Sequence, residues 1–170
     1  MEAHVDRSHL RDADGKTKFR VGSVYDHGLP PESFDVSCSF KVLAHVQQID
    51  VALAEMARVV RPGGHILAEF YNPMSFRGLA KRLGPAGKIS ETTDENAVFT
   101  RFDPPWKVAS MAPPGTRLIA SRGVRIVTPA AVAMRVPVLG PALRFAERAL
   151  CDSPLRHFGG FWIAVLKKDR

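Results

Sequence analysis

The stretch from Phe34 to Tyr71 constrains the fold most, because two strand-like runs flank a helix-like run with short joints. Phe34–Phe40 is a compact run of small and apolar residues, which predicts a strand buried on both faces of a parallel sheet. Apolar residues four, seven and eleven positions after Ile49 predict an amphipathic helix, which Pro62-Gly63-Gly64 ends. His65–Tyr71 predicts the next strand. A strand–helix–strand unit of this kind places its two strands side by side and parallel.

The flanking sequence predicts further elements of the same sheet, with weaker patterns. A long helical stretch, broken around Pro137 and again at Gly140-Pro141, is predicted over residues 129–151. An alternating run at Lys18–Val24 predicts a short strand that ends near Gly22. Further apolar runs predict strands at Arg117–Ala120, Val124–Ile126 and Phe158–Leu166.

Length and composition indicate one ordinary globular domain. The chain has 170 residues, of which 45% are hydrophobic and 24% are charged. Its first residues contain no apolar signal-peptide core, and no stretch approaches the roughly 20 apolar residues of a transmembrane helix. The two cysteines, Cys38 and Cys151, lie far apart and outside any CxxC motif, so we expect a reducing, cytoplasmic location.

Charge is distributed unevenly along the chain. Residues 1–71 hold 8 Lys or Arg against 10 Asp or Glu, whereas residues 72–170 hold 16 against 7. A basic half is compatible with nucleic acid, an acidic membrane surface, an anionic substrate or a merely solvated surface. Because the arginines are scattered singly, without a basic run or interleaved aromatic residues, we do not expect a nucleic-acid partner.

Several catalytic motifs are absent from the sequence. It contains no GxGxxG, no GxxxxGK[ST], no HExxH and no GxSxG. Its six histidines show no metal-ligand spacing, so we expect no metal site. Hydrolase and metalloenzyme functions are therefore disfavoured.

One set of segments, in order and with intact spacing, resembles the middle of a class I S-adenosylmethionine-dependent methyltransferase. The similarity is greatest to the type 11 branch, which includes the ubiquinone and menaquinone C-methyltransferases, and it covers about residues 18–73. The segments that carry it are Val21–Asp26, Leu29–Val36, Val42–Val46, Ala52–Gly64 and Glu69–Pro73.

The resemblance implies an α/β, Rossmann-like methyltransferase fold, with a mostly parallel sheet and a C-terminal antiparallel strand. It also implies a single, partial domain over residues 1–170, because the glycine-rich first motif of the family is not found before Val21. By the family pattern the chain lacks the first strands of the sheet. The strand at residues 18–24 would then leave an exposed edge, which a homo-oligomer or a partner chain could cover.

The same resemblance implies S-adenosyl-L-methionine as cofactor and assigns residues to it. Ser23 occupies the position of the family's adenine-reading aspartate, for which Asp26 could substitute. Ser39 and Phe40 follow the next strand and would face the methionine part. The full set of expected cofactor-binding residues is Gly22, Ser23, Val24, Asp26, Ser39 and Phe40.

A small-molecule methyl acceptor would lie nearby, beyond the carboxyl ends of the strands. His45 is the expected general base, and Tyr71 and Asn72 are expected to line the substrate site. Residues 74–112 and 129–157 could form a substrate lid. A different class of function stays open, namely a non-catalytic binding module that kept the sheet and lost the cofactor site.

Overall fold

The computed structural model describes residue 18 and residues 20–76, 99–128 and 131–170 of the chain. Within them, four strands form one sheet in the order β1-β2-β4-β3. Their bounds are β1 Phe34–Ser39, β2 Val60–Tyr71, β3 Thr116–Val124 and β4 Phe161–Lys168. The pair β1–β2 is parallel, whereas β4 runs antiparallel to both of its neighbours. Three strands therefore share one direction and the last strand opposes them, as predicted.

The predicted strand–helix–strand unit is confirmed, with shifted boundaries. Helix α1 spans Ile49–Val59, and the chain enters β2 directly at Val60. Gly63 has φ +81°, a left-handed conformation that suits glycine. A Cβ on Gly64 would lie 2.6 Å from the Asp35 carbonyl oxygen, so only glycine lets β1 and β2 approach here. The Pro-Gly-Gly sequence thus lies inside β2, where it shapes the start of the strand, and the prediction that it ends the helix is wrong because α1 already ends at Val59.

Two predictions for the first part of the sheet are wrong. Residues 18 and 20–24 form no strand, and only an isolated bridge joins Ser23 to Asp26. Alternating residues specify the faces of a strand, but its backbone also needs a hydrogen-bonded neighbour, and none of the described strands pairs with this segment. Strand β1 is also not buried on both faces, since Phe34 is 41% exposed and Val36 is 49% exposed. The exposed sheet edge therefore lies at β1, and its coverage by a partner stays a prediction.

The described core lies between α1 and the sheet. Helix α1 buries one face, and Phe70 of β2 and Trp162 of β4 stand opposite one another across the antiparallel pair. Its buried side chains include Leu43, Ile49, Leu53, Met56, Val60, Ile66, Phe70, Val108, Trp162 and Leu166. This core fixes the carboxyl ends of β1 and β2 relative to each other.

The second half of the chain adds two short helices and the remaining strands. Helix α2 spans Pro105–Ser110, and helix α3 spans Leu139–Leu150 after a 3-10 turn at Ala131–Arg135. The helical stretch is thus interrupted near Pro137, as predicted, while Gly140-Pro141 lies inside the first turn of α3. Strand β3 continues through Gly123, where the sequence predicted a turn between two strands. Of the two predicted lid regions, residues 77–98 and 129–130 lie outside the described residues.

A buried carboxylate ties the loop before β1 to helix α1. Glu55 is 8% exposed and accepts two hydrogen bonds from the Arg58 guanidinium, at 2.7 and 2.8 Å. Its Oε1 also accepts the His27 backbone N–H at 2.8 Å, and Arg58 donates to the Leu29 carbonyl. The hydrogen bonds from Arg58 outweigh the effect of burial and lower the pKa of Glu55 from 4.5 to about 2.

We expect Glu55→Gln to lower the free energy of unfolding at pH 7 by about 2 kcal/mol, because it removes the charge that pairs with Arg58. Since folding lowers the pKa of Glu55, its contribution is complete above about pH 4.5 and disappears as the pH falls towards 2. Urea unfolding of both proteins across this pH range measures the difference.

The matched control is Glu32→Gln, which removes an exposed carboxylate paired with Lys168 at 3.3 Å. We expect a change below about 0.5 kcal/mol from it. Equal losses in the two variants would contradict the anchoring role of Glu55.

Candidate functional site

The carboxyl ends of the parallel strands meet at one edge of the sheet. Strand β1 ends at Ser39, β2 at Tyr71 and β3 at Val124, and the antiparallel β4 begins at the same edge with Phe161. Ligands of open α/β sheets bind beyond this edge. Two of the three predicted site segments, Ser39–His45 and the end of β2, do meet there.

The turn after β1 is held by a buried carboxylate at the end of β2. Lys41 has φ +59°, a left-handed conformation that is uncommon for a residue with a side chain. Its backbone N–H donates to Oε1 of Glu69 at 3.1 Å, and Glu69 is 7% exposed. Burial raises the pKa of Glu69, although the bond from Lys41 opposes the shift. Glu69 therefore positions the turn that carries Ser39 and Phe40.

His45 follows on a short 3-10 turn, Leu43–His45, whose first two residues are buried in the core. The exposed imidazole has its Nδ1 3.0 Å from the backbone carbonyl oxygen of Phe99. A carbonyl oxygen can only accept, so the neutral tautomer that makes this bond carries its proton on Nδ1 and leaves Nε2 as the acceptor. The Thr100 hydroxyl oxygen also lies 3.4 Å from Nδ1. The ring meets Tyr71 edge-on, with centroids 6.1 Å apart. His45 and Tyr71, predicted separately, are thus brought together.

The segment at residues 99–103, which belongs to the predicted lid region 74–112, holds this pair in place. The backbone N–H of Arg101 donates to the Ala44 carbonyl at 2.7 Å, and that of Asp103 donates to the Tyr71 carbonyl at 2.9 Å. Asp103 is 2% exposed and receives two hydrogen bonds from the Arg101 guanidinium, at 2.6 and 3.0 Å. Lys107 lies 3.2 Å from the same carboxylate.

Burial alone would raise the pKa of Asp103, but the hydrogen bonds from Arg101 and Lys107 lower it. Asp103 therefore stays charged at neutral pH inside the protein. The ion pair fixes the short chain segment that bridges the turn after β1 and the end of β2.

Aromatic side chains surround Tyr71 beyond the strand end. Its ring lies 5.2 Å from that of Phe161 and 6.0 Å from that of Phe102, which is 57% exposed. The Arg125 guanidinium lies 5.9 Å from the Phe161 ring centre. Neither Phe102 nor Phe161 was predicted as a site residue. Phe161 could have been found from its place at the start of an antiparallel last strand.

The side chain of Asn72 is buried and makes its hydrogen bonds within the protein. It is 3% exposed, and its side-chain amide donates to the carbonyls of His157 at 2.7 Å and Gly159 at 2.9 Å. Its Oδ1 accepts the Met74 N–H at 3.0 Å. Both amide donors are therefore taken, and Asn72 fixes the chain beside Tyr71 instead of presenting a donor to a substrate.

The first predicted cofactor segment forms a tight turn. The Ser23 hydroxyl accepts the Tyr25 N–H at 3.2 Å, and Oδ1 of Asp26 accepts the Gly28 N–H at 2.9 Å. Val24 packs against the hydrophobic core. A Cβ on Gly22 would meet only the His27 carbonyl, at 3.8 Å, so the backbone there does not demand glycine.

Two shallow clefts lie on either side of His27 and Leu29. One, of about 200 Å³, is lined by Gly22, Ser23 and Val24, and the other, of about 230 Å³, faces β1. Ligand pockets usually hold about 300–1,000 Å³, so each of these clefts is smaller than an ordinary ligand pocket. A hydrogen bond of 3.4 Å between the Tyr25 hydroxyl and Gln48 N–H joins this turn to the segment after His45. Three of the residues predicted at the adenosine end of S-adenosylmethionine, Gly22, Ser23 and Val24, thus line one cleft together, and Asp26 is not part of its lining.

Within the described residues, no group of three or more His, Cys, Asp or Glu side chains could hold a metal ion. In the same part of the chain, no helix has the length and hydropathy needed to cross a membrane.

Glu69→Gln should flatten the pH dependence of stability, because glutamine keeps the acceptor for Lys41 but cannot ionise. Folding raises the pKa of Glu69, so the carboxyl group costs stability as the pH rises from about 4.5 through its folded pKa. The variant should therefore gain stability relative to the parent between pH 4.5 and 8, measured by urea unfolding. Parallel curves for the two proteins would contradict the buried position of Glu69.

Comparisons with known proteins agree with this geometry. Residues 2–68 match a family described as "Methyltransferase domain". A 48-residue segment is 42% identical to an uncharacterized methyltransferase of Schizosaccharomyces pombe, and it spans 28% of this chain and 17% of that protein.

Solved structures share the fold at low sequence identity. A Thermotoga maritima S-adenosylmethionine-dependent methyltransferase, a possible histamine N-methyltransferase, matches with a TM-score of 0.59 at 15% identity, over 88% of this chain and 62% of that one. A Mesorhizobium loti S-adenosylmethionine-dependent methyltransferase matches with a TM-score of 0.52 at 13% identity, over 86% and 67%. A structure of the Haloferax volcanii Trm112 methyltransferase activator, in complex with a protein described as a putative methyltransferase, also matches. Its TM-score is 0.56 at 14% identity, over 90% of this chain and 62% of that one.

The chain thus spans less than two thirds of the Thermotoga maritima and Haloferax volcanii structures. S-adenosylmethionine is the cofactor that the comparisons support. The strand order, the antiparallel last strand and the matched domain together give this chain the α/β fold of class I S-adenosylmethionine-dependent methyltransferases, with a methyltransferase-domain match over residues 2–68.

Proposed function

We propose that the protein transfers a methyl group from S-adenosylmethionine to a small molecule held between His45 and Tyr71. The observation that carries the proposal is the bond from His45 Nδ1 to the Phe99 carbonyl, which leaves Nε2 as an acceptor at the edge where ligands of this fold bind. We also propose, from the resemblance over residues 18–73, kinship with the ubiquinone and menaquinone C-methyltransferase branch and a cytoplasmic location.

In this proposal the cofactor lies along two segments. Gly22, Ser23, Val24 and Asp26 hold its adenosine end, and the 200 Å³ cleft beside them supports this placement. Ser39 and Phe40 face its methionine part. Phe40 is 47% exposed, and Glu69 fixes the turn on which it lies.

The cofactor supplies a methyl group already activated on a sulfonium sulfur, so the protein's main tasks are alignment and exclusion of water. Tyr71 and Phe161 offer apolar ring surface to the acceptor. His45 Nε2 takes the proton of a weakly acidic acceptor, and the Phe99 carbonyl keeps the Nδ1–H oriented. The Arg101–Asp103 pair holds the segment that carries this carbonyl.

A second candidate is a non-catalytic binding module derived from a methyltransferase. The small clefts and the exposed Phe34 and Val36 on β1 favour it. In this alternative a second copy or a partner chain covers the β1 edge, whereas the sequence predicted such cover for the strand at residues 18–24.

Calorimetric titration with S-adenosylmethionine and S-adenosylhomocysteine separates the two functions. We expect micromolar binding, weakened about tenfold in Ser23→Ala, which removes a hydroxyl from the cleft. Glu32→Gln, exposed on the turn before β1, should bind as the parent does. A chain that melts cooperatively without binding either compound would favour the non-catalytic module.

His45→Asn tests the general base, because the asparagine amide can still donate to the Phe99 carbonyl. We expect methyl transfer to fall by about 10² or more while S-adenosylhomocysteine affinity is unchanged. Transfer of labelled methyl from S-adenosylmethionine to a panel of small phenols and amines provides the readout. His65→Asn, at the opposite end of the part of β2 that pairs with β4, is the matched control. Unchanged transfer in the His45 variant would remove the base from the proposal.

A further inference from the structure

Helix α3 presents an apolar face to solvent, the reverse of an ordinary surface helix. Val138, at its start, is 85% exposed, and Phe145 is 76% exposed. Ala142 and Ala149 are also exposed and follow at helical spacing, so all four lie along one stripe. Leu139 is 46% exposed beside them. Single exposed apolar residues are common, but a continuous stripe of this kind marks an interaction surface.

The opposite side of the helix attaches it to the protein. Both carboxylate oxygens of Glu147 are engaged by the segment after β3: the backbone N–H groups of Ile126, Val127 and Thr128 donate to them at 2.9–3.0 Å. The Thr128 hydroxyl donates as well, at 2.7 Å. These bonds outweigh burial and lower the pKa of Glu147, so the carboxylate stays ionised and turned inward. It is the one acidic residue within Leu139–Leu150.

The groups beside the apolar stripe are cationic. Arg144 and Arg148 are exposed on α3, and Arg135 is exposed on the turn before it. Arg144 donates to the Met134 carbonyl at 3.1 Å, which holds its guanidinium near the start of the helix. Since Glu147 is engaged on the inner side, α3 offers outward only apolar and positively charged side chains.

We propose that α3 docks this protein on an anionic lipid surface, with Phe145 and Val138 entering the interface and the arginines at the headgroups. A helix with these two kinds of side chain lies in the plane of the membrane and does not span it. The net charge of +7, with the excess in residues 72–170, adds attraction to an acidic surface. A second copy of the chain fits less well, because a symmetric contact would place the arginines of both helices together without acids on α3 to pair with them.

Sedimentation of the full chain with lipid vesicles tests the proposal. We expect binding to vesicles of phosphatidylcholine and phosphatidylserine roughly a hundredfold tighter than to pure phosphatidylcholine, since each of the three arginines contributes about fivefold near an anionic surface. Added salt should weaken it. Phe145→Glu should abolish binding and leave the melting temperature unchanged, because Phe145 is largely solvent-exposed. The control Trp106→Glu changes an aromatic residue that is 67% exposed on α2 and should bind as the parent does.

Two further variants separate the charge from the apolar stripe. Arg148→Gln should lower affinity for the anionic vesicles about fivefold. Its control is Arg117→Gln, which removes a β3 cation paired with Asp169 and should leave the affinity unchanged. The Phe145→Trp variant should add fluorescence that shifts to the blue on anionic vesicles. Absence of vesicle binding by the parent chain, or equal loss in the Phe145 and Trp106 variants, would overturn the proposal. Self-association that Phe145→Glu abolishes, without vesicle binding, would assign the stripe to a second copy instead.

Discussion

The pairing of β2 with β4 is the constraint on which the described fold depends. The register runs without interruption from His65 opposite Lys167 to Tyr71 opposite Phe161. This pairing places the buried side chains of Phe70 and Trp162 next to each other in the core. Because β1 pairs with the other edge of β2, β2 has a neighbouring strand on both edges. The orientation of the site follows from it. Because β4 opposes the other strands, the start of β4 brings Phe161 to the edge where Tyr71 ends.

Buried carboxyl groups then fix the loops at the two ends of β1. Glu69 holds the turn after β1, Asp103 holds the bridging segment, and Glu55 holds the loop that precedes β1. Each of these carboxylates is nearly inaccessible to solvent, and each receives hydrogen bonds from neighbouring N–H groups. The buried ion pairs of Glu55 and Asp103 with arginines are costly to disturb, because removing one partner leaves the other desolvated. Glu69 differs, because its partner is a backbone N–H. The positions of His45 and Tyr71 therefore depend on groups that take no part in binding.

The sequence predicted individual helices and strands better than it predicted which distant residues they contact. Helix α1 and β2 were predictable because their apolar periodicity is strong and contained within one segment. His45 and Tyr71 were predictable as neighbours because both follow parallel strands. Asn72 was expected at the substrate, but its amide bonds inside the protein depend on His157 and Gly159, far along the chain. Arg101 and Asp103 lie in a stretch without periodicity, so only the fold reveals their ion pair. The prediction of a strand at residues 18–24 is wrong for a similar reason, since a strand needs a neighbouring strand that its own residues do not specify.

Lys168, the last residue of β4, links the end of the chain to helix α1. Its ammonium group donates to the Ala57 carbonyl at 3.2 Å and to the Val60 carbonyl at 2.9 Å, so the last strand stabilises the carboxyl end of α1. Strand β4 begins ninety positions after β2 ends, at Phe161 and Tyr71 respectively. Helix α1 and strand β2 therefore gain their contacts with β4 only once β4 has been synthesised. Long-range contacts of this kind slow folding. During translation, β2 would lack its antiparallel neighbour and α1 would lack the bonds from Lys168 until β4 emerges, so we expect the nascent chain to bind chaperones.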